Sequence, residues 1–245
     1  DRFLWTAIDW VFPPECACCQ KPNHIICPNC LDSSKFVGGN VCRVCGIPIN
    51  SPSTICQECN SSLPVFAGMR SWAIYEGPIR EAIHSLKYKN NIPLGYYFSQ
   101  KLVPLILEAG WNFDVVVPVP LNPSRLRSRG FNQSTLIARP LAHQFNLPFD
   151  NKSLSRIRDT SPQVDLSANE RFLNVEGAFL GNPANIKGKG VLIIDDVITT
   201  GATMINCTKA LLESGATKVF CLSVARVNCS RSVSCGFQFA RLNLR

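Results

Sequence analysis

The chain has 245 residues, enough for one ordinary domain and a small second one. Its 46% hydrophobic and 17% charged residues are typical of a globular protein and exclude an intrinsically disordered one. The net charge of +8 is uneven, with −1 in residues 1–62 and +9 in residues 63–245. The basic part favours an anionic partner, either a phosphorylated small molecule or a nucleic acid, although a solvated basic surface has the same composition.

The first residues of the chain are apolar, with large side chains at helical spacing between Leu4 and Phe12. The segment is too short to cross a bilayer and contains Asp9, so we expect an amphipathic helix packed on the protein. We recognise no export signal, which makes the reducing cytoplasm the expected location. Clustered cysteines in that compartment bind metal more often than they form disulfides.

Composition divides the chain into two predicted domains. Residues 1–62 comprise the N-terminal helix and a module that holds nine of the 13 cysteines. In residues 63–245, apolar strands alternate with amphipathic helices. The predicted strands are 68–75, 114–118, 190–195 and 218–225, and the predicted helices are 78–88, 94–108, 132–145 and 202–214. This alternation predicts an α/β fold with a parallel sheet and helices on both faces. Pro140 is expected to kink or split its helix, and Gly215 to end the last one.

Four Cys-x-x-Cys pairs follow one another in the first domain. They are Cys16/Cys19, Cys27/Cys30, Cys42/Cys45 and Cys56/Cys59. Eight thiolates supply two tetrahedral Cys₄ zinc sites, which leave no open position for a substrate, so we expect two structural Zn²⁺ ions. Neighbouring or crossed pairs could share each metal. Cys18 is either a spare thiol or a replacement for Cys16 or Cys19.

A second motif follows the apolar strand that begins at Val191. Two carboxylates, Asp195 and Asp196, precede a run of small and hydroxyl residues that opens a helix; these are Thr199, Thr200, Gly201, Ala202 and Thr203. Backbone N–H groups at such a helix start bind anions, and adjacent carboxylates accept hydrogen bonds from neighbouring sugar hydroxyls. The arrangement resembles the binding motif of type I phosphoribosyltransferases. It implies that the acids hold the ribose of phosphoribosyl pyrophosphate and that residues 199–203 hold its 5-phosphate.

Loss of pyrophosphate from this ligand requires cations around the leaving group. We expect Mg²⁺ to accompany it, with Arg125, Arg127 and Arg129 as further candidates because a guanidinium matches phosphate oxygens. Arg129, Asp195 and Asp196 are the predicted catalytic residues. A polar stretch without periodicity is predicted to be a mobile loop over the substrate; it contains Arg156, Arg158, Thr160, Gln163, Arg171 and Asn174. Lys87 could reach an anion or simply interact with the dipole of its own helix.

Together these motifs resemble the ComF family of competence-associated phosphoribosyltransferase-like proteins. They are the cysteine pairs, Leu86-Lys-Tyr88, Pro118-Val-Pro-Leu121, Arg129-Gly-Phe-Asn-Gln133, Thr160-Ser-Pro-Gln163 with Arg171 and Asn174, and Asp195-Asp-Val-Ile-Thr-Thr-Gly-Ala-Thr203. The resemblance implies a type I phosphoribosyltransferase fold, a cytosolic location and a link in some bacteria to uptake of transforming DNA.

Three hypotheses follow for the function. The first is a phosphoribosyltransferase that acts on an unknown acceptor. The alternative is a non-catalytic module of the competence machinery that binds single-stranded DNA or a helicase, although the sequence does not interleave aromatic with basic residues as single-strand platforms do. The third is a sensor that binds the sugar phosphate without turnover.

Overall fold

The computed structural model describes residues 14–50, 52–158 and 177–228. The strands in these ranges are β1 (Gly68–Ile74), β2 (Val115–Pro118), β3 (Leu154–Arg156), β4 (Phe179–Gly181), β5 (Gly190–Ile198) and β6 (Lys218–Arg226). The helices are α1 (Pro28–Asp32), α2 (Gln57–Ser61), α3 (Gly77–Tyr88), α4 (Pro93–Glu108), α5 (Pro123–Arg129), α6 (Gln133–Gln144) and α7 (Ala202–Glu213). None of these helices is long and apolar enough to span a membrane.

Four strands form a parallel sheet in the order β1-β6-β5-β2, and β3 pairs with β4 in a separate antiparallel sheet. The central strand β5 is buried on both sides. Leu192 and Ile194 pack with α3, α4 and α6, whereas Val191 and Ile193 pack with α7. Successive side chains of a strand point to opposite faces, so the two groups of helices cover the two faces of the sheet. The predicted fold class is therefore confirmed.

Two details differ from the sequence prediction. Strand β5 continues beyond Asp195 to Ile198, because Val197 and Ile198 keep their pairing with β6. Helix α6 is not split at Pro140 but includes it. Pro140 removes one backbone donor near the helix end, and the buried neighbours Ile137 and Leu141 hold both sides of the proline against the core. As predicted, the chain turns after α7 at Gly215, which has a φ of +94°.

Helix α5 and the strands β3 and β4 were not predicted. All three are short, and none of the residues of α5 is buried, so hydrophobic periodicity could not reveal that helix. Its ends do carry a recognisable signal. The side chain of Asn122 accepts a hydrogen bond from Ser124 N at 2.8 Å, Pro123 opens the helix, and Gly130 ends it with a φ of +80°.

The cysteine-rich module pairs directly with the edge strand β1. Val37 N donates to Trp72 O at 3.0 Å, and Ile74 N donates to Lys35 O at 2.8 Å. This short antiparallel segment satisfies backbone groups that an uncovered edge strand would leave free. The division at residue 62 stays a prediction, and the predicted N-terminal helix lies outside the described residues.

Candidate functional site

The eight paired cysteines form two clusters. Cys16, Cys19, Cys27 and Cys30 make up the first, and Cys42, Cys45, Cys56 and Cys59 the second; within each cluster all sulfur atoms lie within 4.8 Å of one another. Neighbouring pairs therefore share a site, and the crossed arrangement is excluded. We call residues 14–33 the first ribbon and residues 41–61 the second ribbon. Four thiols at this separation fit a tetrahedral Zn²⁺, so each ribbon contains one Cys₄ zinc-binding site.

Cys18 is not a zinc ligand. Its Sγ donates a hydrogen bond to Pro78 O, 3.1 Å away at the start of α3. Burial, followed by the charge of Cys16, raises the pKa of this thiol to about 12. Cys18 therefore stays protonated and anchors the first ribbon to the sheet domain.

The pKa values of the thiols in the second cluster are also consistent with a cation-binding site. A hydrogen bond from Cys59 lowers the pKa of Cys45 to about 6, whereas burial and the charge of Cys45 raise the pKa of Cys56 to about 12. One thiolate in a buried group makes the next ionisation costly. A bound Zn²⁺ removes this cost and releases the remaining protons.

The run from Thr199 to Thr203 forms the turn between β5 and α7. Gly201 is the N-cap of α7 and has a φ of +78°, which glycine adopts without strain. Since glycine has no side chain, it leaves the first N–H groups of the helix without the side-chain cap that Ser or Asp would supply. Thr200 Oγ1 accepts only a long contact, 3.4 Å, from Ala202 N. This turn, residues 199–203, is called the phosphate loop below because it has the backbone geometry that binds anions.

The two carboxylates before the phosphate loop have different partners. Asp196 is 4% exposed and pairs with Lys87 of α3, with 2.6 Å between Oδ2 and Nζ. Burial lowers the pKa of Lys87, but the charge of Asp196, its hydrogen bond and the charge of Asp195 together outweigh burial, and the net pKa is raised. Asp195 Oδ1 accepts hydrogen bonds from Ser134 Oγ at 3.0 Å and from Asp196 N at 2.9 Å. Of the two interpretations of Lys87, the structure therefore favours an anion contact, and that anion is a protein carboxylate.

Asp195 has an unusual protonation equilibrium. Burial and the adjacent charge of Asp196 raise its pKa to about 7, and the hydrogen bond from Asp196 N and the charge of Lys87 only partly oppose this. Near neutral pH, Asp195 is thus divided between a carboxylic acid and a carboxylate. Carboxylates with raised pKa values are common where a ligand or substrate binds.

Arg129 joins the same group of side chains. Its guanidinium lies 5.1 Å from the ring centre of Tyr88 and donates to Gln133 Oε1 at 2.5 Å. Tyr88 follows Lys87 in the chain, and Gln133 precedes Ser134. Arg129 thus contacts the sequence neighbours of Lys87 and Ser134, the residues that bind Asp196 and Asp195.

The other predicted arginines are less closely connected. Arg125 and Arg127 are exposed on α5. Arg125 lies one turn before Arg129 on the same side of the helix, whereas Arg127 is rotated by roughly 200° from Arg125. Arg156 lies in β3, and Arg158 is exposed just after it. Thr160, Gln163, Arg171 and Asn174 lie outside the described residues, as does most of the predicted mobile loop.

Two surface cavities lie away from these residues. One, of 250 Å³, is lined by Val37, Arg70 and Glu108 among others, and one of 200 Å³ by Gly177, Asn206 and Lys209 among others. Neither contains a residue of the phosphate loop. The residues of the candidate site lie instead near the carboxyl end of β5 and on the segments after β2, the edge of the sheet where ligands bind in open α/β folds.

Replacing a zinc ligand should lower the metal content, whereas replacing the spare thiol should leave it unchanged. We expect Cys56→Ser to lower the zinc content from two ions per chain to about one, because only the second cluster loses a ligand. Cys18→Ser should retain both ions, since its sulfur lies outside the clusters. Elemental analysis of the purified variants measures this, and loss of zinc from Cys18→Ser would contradict the ligand assignment.

Removal of Lys87 should destabilise the protein through Asp196. Lys87→Met leaves a carboxylate that is 5% exposed without its cation, at a cost on the order of 3 kcal/mol. The double variant Lys87→Met/Asp196→Asn should recover most of that loss, because no uncompensated charge remains. Urea unfolding at pH 8 of the parent, both single variants and the double variant gives the coupling energy. Additive effects would show that the pair contributes nothing.

Comparison with known proteins finds a matching family model for each of the two parts of the chain. The family model of the double zinc ribbon domain matches residues 7–60, and that of the phosphoribosyl transferase domain matches residues 102–235. The two matches together span the zinc clusters, the arginines of α5 and the phosphate loop.

Curated relatives extend over most of the chain. DNA utilization protein YhgH of Salmonella typhi is 32% identical over 222 residues, which cover 86% of this chain and 96% of that protein. Competence protein F of Haemophilus influenzae is 27% identical, with the same coverage of both chains. Competence protein ComFC of Bacillus subtilis is 28% identical over 80% of this chain and 81% of that protein. With its two Cys₄ ribbons and its phosphoribosyltransferase-type sheet, the chain belongs to the ComF family.

Proposed function

We propose that this protein binds phosphoribosyl pyrophosphate and transfers its phosphoribosyl group to an acceptor in a process linked to DNA uptake. The observation that supports this best is the pair of buried-strand carboxylates, Asp195 and Asp196, a few residues before an uncapped helix start, with Arg129 held by the neighbours of their partners Ser134 and Lys87. A ribose 5-phosphate carries hydroxyls for the acids and a phosphate for the helix start. Its pyrophosphate needs cationic partners, which α5 supplies.

Each residue has a role in this proposal. Asp195 accepts hydrogen bonds from the ribose hydroxyls, Asp196 contributes the oxygen that Lys87 does not occupy, and the phosphate loop binds the 5-phosphate through its backbone N–H groups. The acceptor forms a bond to C1′ while the bond from C1′ to the pyrophosphate oxygen breaks. Arg129 and Arg125 stabilise the negative charge that develops on the leaving pyrophosphate. Mg²⁺ is expected to accompany the pyrophosphate.

The pH dependence of ligand binding tests this proposal. Phosphoribosyl pyrophosphate with Mg²⁺ should bind more tightly as pH rises from 6 to 8, since the raised pKa of about 7 means that Asp195 gains its acceptor charge in this range. Asp195→Asn should weaken binding roughly 10- to 100-fold at pH 8, the value of a hydrogen bond to a charged group. Isothermal titration calorimetry at several pH values measures both effects.

The Asp195→Asn variant is also the control for the ligand, because protonation of the phosphate groups affects parent and variant alike. The steeper pH dependence of the parent is the part that belongs to Asp195. Absence of binding to the parent at pH 8 would refute the proposal. Release of pyrophosphate with candidate acceptors separates a transferase from a sensor that binds without turnover.

A second candidate function is contact with single-stranded DNA. The exposed ring of Tyr88 lies against Arg129, so the fold brings together an aromatic and a basic residue that are 41 positions apart in the sequence. Stacking on aromatic side chains beside cations is how single strands are bound without sequence preference. The relatives, a DNA utilization protein and two competence proteins, bear names that agree with this role.

An oligonucleotide titration distinguishes the two functions. If the basic surface binds DNA, a labelled thymidine oligonucleotide should bind with steep salt dependence. Binding should survive Asp195→Asn/Asp196→Asn and decrease in Tyr88→Ala. Fluorescence anisotropy measures this, and binding that persists unchanged in Tyr88→Ala would argue against a stacking surface at α3.

A further inference from the structure

The last residue of β6 reaches into the second ribbon. Arg226 is 3% exposed, and its Nη1 donates a hydrogen bond to the backbone carbonyl of Cys45 at 3.1 Å. Cys45 is one of four thiols in the second cluster, and a Cys₄ site retains a net charge of −2 when Zn²⁺ is bound. A buried guanidinium beside this charge stabilises the metal centre and, through the carbonyl contact, orients one of its ligands.

The residue after Arg226 binds the end of the strand that leads to the phosphate loop. Arg226 is in register with Ile198, the last residue of β5, and the next residue, Val227, donates to Ile198 O at 2.9 Å. On its other side, Arg226 O accepts from Tyr75 N at 2.7 Å. Thr199 follows Ile198 directly. Arg226 and Val227 thus connect the second zinc centre to the start of the phosphate loop through two adjacent residues.

The second ribbon makes close contacts with the sheet. Gly46 follows Cys45 at a φ of +66°, and a Cβ atom at this position would lie 2.5 Å from Met69 O. Met69 N in turn donates to Val44 O at 2.7 Å. The thiols of the second cluster belong to the same buried core as Ile198, Ala202 and Met204. The second ribbon and the residues on both sides of the phosphate loop are therefore parts of one close-packed core.

We propose that Arg226 is a positioning residue that couples zinc occupancy of the second ribbon to the conformation of the phosphate loop. The coupling rests on the proposed function only for the identity of the ligand that the loop binds. Without zinc or without the guanidinium, the end of β5 loses part of its support, and the N–H groups at the start of α7 are held less rigidly. The ribbon then contributes to ligand binding without touching the ligand.

Arg70 provides a matched control. It also donates to backbone carbonyls of the second ribbon, from Nη1 to Cys42 O at 3.4 Å and from Nη2 to Arg43 O at 3.1 Å. However, it lies in the edge strand β1 and is in register with Leu222, away from the end of β5. Its replacement should loosen the ribbon and leave the phosphate loop as it is.

The test compares Arg226→Gln, Arg226→Lys and Arg70→Gln with the zinc-loaded parent. Timed alkylation of cysteines, read by mass spectrometry, reports the stability of each zinc centre separately, with the first cluster as internal reference. Hydrogen exchange of the backbone amides of residues 199–204 reports the phosphate loop without any ligand. In Arg226→Gln we expect the cysteines of the second cluster to react roughly 10- to 100-fold faster, as for other residues that support a metal ligand. Loop amides should exchange faster, and Arg226→Lys should be intermediate.

Arg70→Gln should accelerate alkylation of the second cluster alone. If Arg226→Gln fails to fold, removal of zinc from the parent with a chelator still tests the coupling, because exchange in residues 199–204 should increase. Loop exchange that stays at the parent rate in Arg226→Gln, or after loss of the second zinc, would overturn the proposal. A parent that binds no phosphoribosyl pyrophosphate would refute the proposed function, but these two readouts would still decide the coupling.

Discussion

The pairing of β5 with β6 through their last residues holds the candidate site together. It continues from Asp195, opposite Ser223, to Ile198, opposite Arg226. Because both carboxylates lie within the paired part of β5, their backbone is fixed by the sheet and only their side chains remain for a ligand. The phosphate loop begins at Thr199, directly after Ile198, so the sheet fixes the position at which the loop starts. Such preorganisation matters for binding a charged ligand, since dipoles that are already oriented cost nothing to reorganise.

The two acids differ in how the protein compensates their buried charge. Asp196 is buried with Lys87, so its charge is balanced within the protein. Asp195 then faces a buried environment and a neighbouring negative charge, and both raise its pKa. Burial of like charges is tolerated only where a cation or hydrogen-bond donors compensate, and Lys87 and Ser134 supply these. A ligand with hydroxyl donors would complete the compensation, which gives a physical reason for the specificity proposed above.

Zinc binding stabilises the two ribbons, whose sequence provides too few large apolar residues for a core. Their segment is poor in large apolar residues, and metal binding provides folding free energy in place of a hydrophobic core. The ribbons also stabilise the sheet. The chain between them covers the exposed edge of β1. The thiols of the second ribbon belong to the same buried core as the residues that flank the phosphate loop. Closed Cys₄ sites have no position for substrate, so the metal ions stabilise the ribbons and do not bind a reactant.

The sequence by itself determined the local features of this protein. Strong periodicity located the main strands and helices, Cys-x-x-Cys spacing identified the zinc ligands, and the run from Asp195 to Thr203 predicted an anion site at the start of α7, because each of these signals is carried by neighbouring residues. Only the tertiary structure decided which thiols share a metal, that Cys18 contacts Pro78, and that Lys87 pairs with Asp196. It also decided that Arg226 meets Cys45, 181 positions away. These contacts join distant segments, and their energies depend on burial and distance, which become defined only when the sheet has brought the strand ends together.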